Sequence, residues 1–252
     1  MIAENRYQMI LEVLMRQKTV TVQQLAQLLD ISESTIRRDL IALDSQGRLK
    51  RVHGGATLLE NQFYSHEPDM TTKEGLFIKE KKQIGSYAAS LIKADDLVYI
   101  DAGTTTLQLV QAVDGEALKA VYVTNGLAHT RLLARKGCTV YVPAGRIRER
   151  TEAIVGGATM NSLRRFNFSL AFMGTNGISL ERGFTTPDIE EGEMKAAAIA
   201  SARQTWFLAD ESKFDKIYAS GICDIGRGAI ITNRLPDEKY REFTVVKETG
   251  PL

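Results

Sequence analysis

Two groups of residues in this 252-residue chain have the types and spacing to do chemistry. The first is Ser32, Ser34, Thr35, Arg37 and Arg38, followed by Arg48, Lys50, Arg51 and His53. Arginine forks match the acceptors on a guanine edge and hydroxyls take phosphates or base edges, so a helix exposing them fits a DNA major groove. The run Arg48 to His53 holds no acid and suits phosphate contact beside that groove. An Arg37-Arg38 pair alone is more often a solvated face; the whole constellation points to double-stranded DNA. The second group follows a strand-like run, where Leu97 to Asp101 leads into Ala102-Gly103-Thr104-Thr105-Thr106 and a helical pattern. Backbone N–H groups at such a helix start, the helix dipole and three hydroxyls make an anion site suited to phosphate. Threonine is also a common N-cap, so the loop by itself leaves a structural role open.

Three helical patterns position the first group. Residues 4–16 carry Ile10, Leu11, Val13 and Leu14 as an apolar stripe. Thr21 with Gln24 forms a capping-box pattern ahead of Leu25, Ala26, Leu28 and Leu29, a helix that stops near Asp30. Ser32 caps a third helix with Ile36, Leu40 and Leu43 on its buried side, and Gly47 is placed to end it. Residues 48–53 then predict a short strand, Gly54-Gly55 a turn and residues 56–59 a return strand, completing a winged helix-turn-helix. The stretch 60–72, with Pro68 and no period, is the expected linker. From Lys73 a helix carrying Ile78, Ile84, Ala88, Leu91 and Ile92 opens an alternation of strands and helices. Glycine or polar loops follow successive strands, at Asn125-Gly126, Ala144-Gly145, Gly174 and Asp210. That arrangement predicts an α/β domain with a site at the carboxyl edge of a parallel sheet.

Composition restricts the partners. Hydrophobic residues make up 44% and charged residues 25%, with Lys+Arg 32 against Asp+Glu 31, so any basic surface is local and the chain is globular. The two cysteines, Cys138 and Cys223, have no paired spacing, which argues against a disulfide framework or a cysteine zinc site. His129 has no ligand-type neighbour at metal spacing and reads as a satisfied or solvated histidine, and no cofactor or metal is expected. A polar start and no apolar run long enough to span a bilayer predict a soluble cytoplasmic protein without membrane contact.

Arg6, Ile10 and Leu14, then Ser32, Thr35, Ile36, Arg37, Arg38, Asp39 and Leu40, with the wing segment RVHGGA, resemble the DeoR family of bacterial sugar-operon regulators. Asp39 would repel DNA and is expected to orient Arg38 or another basic side chain. The resemblance runs on through DAGTTT, TNG, MGTNG, GFTTPD and LADESKF. It implies a C-terminal sensor domain, residues 73–252, similar to the ribose-phosphate isomerase fold and binding a phosphorylated sugar. The DNA-binding domain would be residues 1–59. It also implies Lys73, Lys81, Asp210 and Lys213 as effector-response positions, joining Asp101, Gly103, Thr104, Thr105, Thr106 and Asn125 of the strand-end loops. Lysines neutralise phosphate and a carboxylate accepts from sugar hydroxyls, although Asp210 and Lys213 could instead cap or pair at a strand end. Lys73 and Lys81 fall in what reads as a lysine-rich surface helix. The stretch GTNGISLERGFTTPD is similar to the family's fructose-operon repressors, which implies fructose 1-phosphate. Operator half-sites favour a homodimer or homotetramer.

The rival is a sugar-phosphate isomerase-like enzyme with a DNA-binding extension, using Glu190, Glu191 or Glu193 as base and Lys195 as helper. Against it, Met173-Gly-Thr-Asn-Gly177 offers no carboxylate where such isomerases resemble one another in an acidic loop. A purely architectural DNA-binding protein would leave the Gly/Thr strand-end loops unexplained.

Overall fold

The computed structural model describes residues 3–46, 48–57, 73 and 75–250. Gly47, Leu58, Leu59 and the expected linker 60–72 lie outside the described residues. The chain divides into two units, Met1–Gln62 and Phe63–Leu252.

In the first unit α1 (Ala3–Gln17), β1 (Thr19–Thr21), α2 (Val22–Leu29) and α3 (Glu33–Ser45) precede β2 (Lys50–Val52) and β3 (Gly55–Thr57). The Thr21 hydroxyl accepts from Gln24 N while the Gln24 side chain accepts from Thr21 N, so the expected capping box forms. Asp30 ends α2 with φ 53°, a left-handed conformation that turns the chain at once toward α3. Ile10, Leu14, Leu25, Ile36, Leu40 and Leu43 interlock as one core, the apolar stripes of three helices meeting. Arg6 on α1 grips Asp39 on the buried side of α3 with two parallel bonds of 2.8 and 2.9 Å. Asp39 thus serves Arg6, and its pairing raises the pKa of that guanidinium.

The wing differs from the expected hairpin. A third strand, β1, joins it in the order β1-β3-β2, and Gly55 lies within β3 instead of the turn. A Cβ on Gly55 would come within 2.2 Å of Val20 O, so only glycine lets the middle strand approach β1 this closely. The strand begins at Lys50 because Leu49 is drawn into the core and Arg48 N donates to Leu43 O.

The second unit is doubly wound. Seven parallel strands, β4 (Leu97–Ile100), β5 (Val121–Thr124), β6 (Thr139–Tyr141), β9 (Phe168–Gly174), β12 (Ala202–Leu208), β14 (Ala229–Thr232) and β15 (Val246–Glu248), form one sheet. Their order is β15-β14-β12-β9-β4-β5-β6. The chain therefore runs outward from β4 to β6, returns to β9 on the other side of β4, and runs outward again. Between β4 and β9 the winding reverses, the position where open α/β sheets leave a crevice. Central strands are buried on both faces: in β9, Leu170 and Phe172 join one apolar cluster, and Phe168, Ala171 and Met173 the other. Helices α4 (Ile78–Ser90) and α5 (Thr104–Ala112), with Leu133 of α6 (Leu127–Arg135), cover the first face. Leu163 of α7 (Gly157–Leu163) and Met194, Ala198 and Ile199 of α8 (Ile189–Ala200) cover the second. An antiparallel pair, β7 (Arg146–Arg148) and β8 (Ala153–Val155), and a three-stranded sheet of β10 (Gly177–Ser179), β11 (Gly183–Thr186) and β13 (Ser220–Cys223) complete the unit.

Helix α4 is shorter than the expected run from Lys73 to Ile92, because Phe77 adopts a left-handed φ of 52° immediately before it. Trp206 is a core residue of the first face.

Neighbouring positions on α3 separate packing from exposure. Leu40→Ala, at a fully buried site, is expected to destabilise the N-terminal unit by about 2–5 kcal/mol. Ile41→Ala, at a half-exposed one, is expected to change stability by no more than about 0.5 kcal/mol. Urea unfolding of both variants, followed by circular dichroism, checks the contrast.

Candidate functional site

The exposed face of α3, expected to read a DNA groove, is built by the helix cap and its period. Ser32 accepts from Thr35 N, and its hydroxyl lies 3.1 Å from that of Ser34 and 2.9 Å from that of Thr35. With Ile36, Asp39, Leu40 and Leu43 turned into the core, Arg37 and Arg38 are left at the surface. The Arg37 side chain is 58% exposed and makes an i,i+4 pair with Glu33 at 3.1 Å, a solvent-screened contact that DNA can replace. Lys50, Arg51 and His53 are exposed on the wing and Arg48 is half-buried at its base. Asp44 ties the wing to α3 by accepting from Arg51 N at 3.0 Å. All nine sequence-selected residues, Ser32 to His53, are thus in the first unit, and none is deeply buried.

In the second unit the reversal point is closed by Asp101, at the end of β4. Its Oδ2 accepts from Gly174 N, at the end of β9, over 2.9 Å. The same oxygen pairs with the Lys195 ammonium from α8, which also donates to Gly174 O at 3.2 Å. Both side chains are at most 5% exposed. Burial raises the pKa of Asp101, while Lys195 and the Gly174 and Ala102 N–H groups hold it down. Asp101 Oδ1 is buried and has no hydrogen-bond partner among the described residues. Sequence reasoning gave Lys195 only to the rejected enzyme; a contact between residues 94 positions apart leaves no local trace.

The loop after β4 is more self-contained than expected. Thr106 Oγ1 lies 2.6 Å from Asp101 O, 2.9 Å from Gly103 O and 3.0 Å from His129 Nε2, so this hydroxyl builds the loop. Asn125 is fully buried, its Oδ1 accepting from Ala102 N and Tyr99 Oη and its Nδ2 donating to Ile154 O. Thr106 and Asn125 therefore shape the site from behind. Gly103 precedes α5 without a side-chain cap, and Thr104 and Thr105 lie at that helix start, each mostly buried.

Asp210, after β12, is fully buried and caps the short turn Glu211–Lys213. Its Oδ1 takes both Ser212 N and the Ser212 hydroxyl, while Oδ2 has no hydrogen bond among the described residues and lies 4.0 Å from Lys213 Nζ. Burial favours its neutral form, but Lys213, Ser212 and Lys81 outweigh that and lower its pKa. Lys81, expected on a surface helix, is only 4% exposed, and its ammonium donates to the carbonyl of Lys73. The charged run around it looks solvated in sequence, yet position 81 falls on the inward side of α4. Lys216 was not foreseen; burial and the neighbouring Lys213 push it down to about 8.

Two carboxylates of the rival reading are engaged elsewhere: Glu191 accepts from Arg148 at 2.9 Å and from the Thr151 hydroxyl at 2.6 Å, and Glu190 pairs with Arg146, while Glu193 is exposed on α8.

A winged helix-turn-helix with arginines on its exposed helix, in one chain with a doubly wound α/β domain carrying a strand-end site, defines a transcriptional regulator with a sensor domain. Residues 6–62 match the DeoR-like helix-turn-helix domain and residues 77–234 the DeoR C terminal sensor domain; the chain belongs to the DeoR family. It is 42% identical over 254 residues, 100% of both chains, to FruR of Bacillus subtilis (strain 168), described as an uncharacterized HTH-type transcriptional regulator. It is 34% identical over 215 residues, 84% of each chain, to the lactose phosphotransferase system repressor of Lactococcus lactis subsp. lactis. Among solved structures, ribose 5 phosphate isomerase A from Neisseria gonorrhoeae aligns over 58% of this chain and 56% of its own, with a TM-score of 0.40 and 18% identity. The family is one of transcriptional regulators, not enzymes, and the isomerase reading falls. Among the described residues no helix is long and apolar enough to cross a membrane.

His129, behind the loop, supplies a pH signature. Burial lowers its pKa from the ordinary 6.5 to about 4, so the folded protein keeps the ring neutral where the unfolded chain takes up a proton. Its contribution is complete above about pH 6.5 and is lost as pH falls toward 4, a change on the order of 3 kcal/mol. Urea unfolding between pH 7 and pH 4.5 is expected to show this acid-side loss, and His129→Gln should flatten it.

Proposed function

We propose that this regulator represses a carbohydrate-uptake or catabolic operon and that a phosphorylated sugar modulates its operator binding. The observation that carries the reading lies at the carboxyl edge of the sheet, where Lys81 and Lys213 act on the buried Asp210 after β12 and the start of α5, which has no side-chain cap, follows β4. Lysines and a helix N-terminus favour a phosphate dianion, and carboxylates favour the hydroxyls attached to it. In this reading residues 1–59 bind DNA through Ser32, Ser34, Thr35, Arg37, Arg38, Arg48, Lys50, Arg51 and His53, residues 60–72 link, and residues 73–252 sense the sugar. Lys73, Lys81, Asp101, Gly103, Thr104, Thr105, Asp210 and Lys213 serve the effector, while Thr106 and Asn125 hold the loop. The protein works in the cytoplasm as a homodimer or homotetramer that matches paired half-sites. The description of one relative as a lactose phosphotransferase system repressor supports a sugar system as the target, and fructose 1-phosphate is the effector that the sequence resemblance implies.

Arg37→Ala is expected to weaken operator binding by about 1–3 kcal/mol and relax sequence preference, whereas Lys50→Ala weakens all sequences alike and lowers the salt slope by about one. Titrations of operator and random DNA at several salt concentrations distinguish the two. Because the effector acts from another domain, it changes operator affinity only through a coupling, typically about 5- to 150-fold. Lys213→Ala should abolish the response to fructose 1-phosphate and keep near-normal operator affinity. An unaltered response in that variant, in operator titrations with and without the sugar phosphate, would remove Lys213 from the sensor site.

A further inference from the structure

Three buried side-chain polar atoms have no hydrogen-bond partner among the described residues: Asp101 Oδ1, Asp210 Oδ2 and Trp206 Nε1. Two of them are carboxylate oxygens, following β4 and β12, the strands on either side of β9. An unsatisfied buried acceptor costs roughly 1–3 kcal/mol, and more when charged, so two at the carboxyl edge of one sheet mark a place where donors are missing. The protein supplies a cation to each carboxylate, Lys195 from α8 on one face and Lys213 after β12. Lys195 donates to Asp101 and to Gly174 O, and an ammonium has a third proton to give.

We propose, on the reading of this domain as a sugar-phosphate sensor, that Asp101 and Lys195 form its hydroxyl-reading half. Asp101 Oδ1 accepts from a sugar hydroxyl and Lys195 donates to a hydroxyl or carbonyl oxygen beside it. Asp210 Oδ2 takes a second hydroxyl, and the phosphate lies toward Lys81 and Lys213. The ligand class follows. β4 and β12 are two strand spacings apart, about 9–10 Å, a span that an extended five- or six-carbon sugar phosphate covers and a three-carbon phosphate does not. Sugar-acid phosphates are disfavoured, because their carboxylate would meet two carboxylates instead of the donors those oxygens need. Space at the end of β9 is already tight: a Cβ on Gly174 would lie 3.2 Å from Asp101 Oδ2.

The test uses the full-length protein, calorimetry with fructose 1-phosphate, glycerol 3-phosphate and 6-phosphogluconate, and inorganic phosphate as a competitor. Native protein is expected to prefer the ketose phosphate. Asp101→Asn and Lys195→Met should each weaken fructose 1-phosphate at least about 10-fold while changing inorganic phosphate affinity less than about 2-fold; Lys213→Ala should weaken both ligands. Should a single variant fail to fold, the Asp101→Asn/Lys195→Met pair, which leaves no unpaired charge, carries the same expectation. Equal weakening of both ligands would make the pair a structural clamp and overturn the assignment, as would undiminished sugar binding. If native protein binds none of the organic phosphates, the sensor reading itself fails and this assignment with it.

Discussion

The reversal of winding between β4 and β9 is the constraint on which the C-terminal domain depends. Parallel strands that diverge in connectivity leave their carboxyl ends without a crossover helix, and the backbone groups there need partners. Asp101 supplies one by accepting from Gly174 N across the gap, and Lys195 neutralises the carboxylate and takes the carbonyl of the same glycine. A carboxylate and an ammonium this deeply buried are expensive to desolvate, and their attraction offsets that only when both are held in good geometry. The surroundings provide it: Tyr99, Asn125 and Met194 interlock behind the pair, and Asn125 in turn fixes the loop that Asp101 begins. The site is therefore rigid where it meets the sheet and incomplete where Oδ1 has no donor.

The N-terminal unit uses its buried carboxylate differently. Asp39 is satisfied at both oxygens by Arg6, so its role ends within the protein, and it fixes α3 against α1. This leaves Arg37 and Arg38 exposed on α3, where Arg37 makes a surface pair with Glu33. Two aspartates with comparable burial thus take opposite parts, one closing a helix packing and the other leaving an acceptor open, and the difference lies in how many donors reach them.

Local rules made the first unit legible in sequence. Caps, helical period and turn glycines act within a few residues, and Thr21, Asp30 and Ser32 do in the structure what their types predict. Legibility declined with separation. That Asp39 serves a basic side chain followed from its charge beside two arginines, but the identity of Arg6 required the packing of α1 on α3. Lys195 was invisible as a partner of Asp101, and Lys81 was misplaced because the charged run around it resembles a solvated face. Thr106 and Asn125 carried the right residue types for ligand contact, yet the loop uses their hydrogen-bonding groups for itself. Gly55 was recognised as special but assigned to a turn, since the third strand that presses on it comes from residues 19–21.

A phosphate dianion and a set of hydroxyls ask for opposite surroundings, and a sheet edge can supply both because each strand end faces a different layer of helices. Helix α8 brings Lys195 to Asp101 from one face, and α4 brings Lys81 toward Asp210 from the other. On α8, Glu191 stands one turn before Lys195 and holds Arg148 and Thr151, so the helix that carries Lys195 is anchored at its start to the β7–β8 region. A lysine on such a helix cannot follow its carboxylate independently. Asp101 and Lys195 are thus held together from two separately anchored elements, the end of β4 and the start-anchored α8.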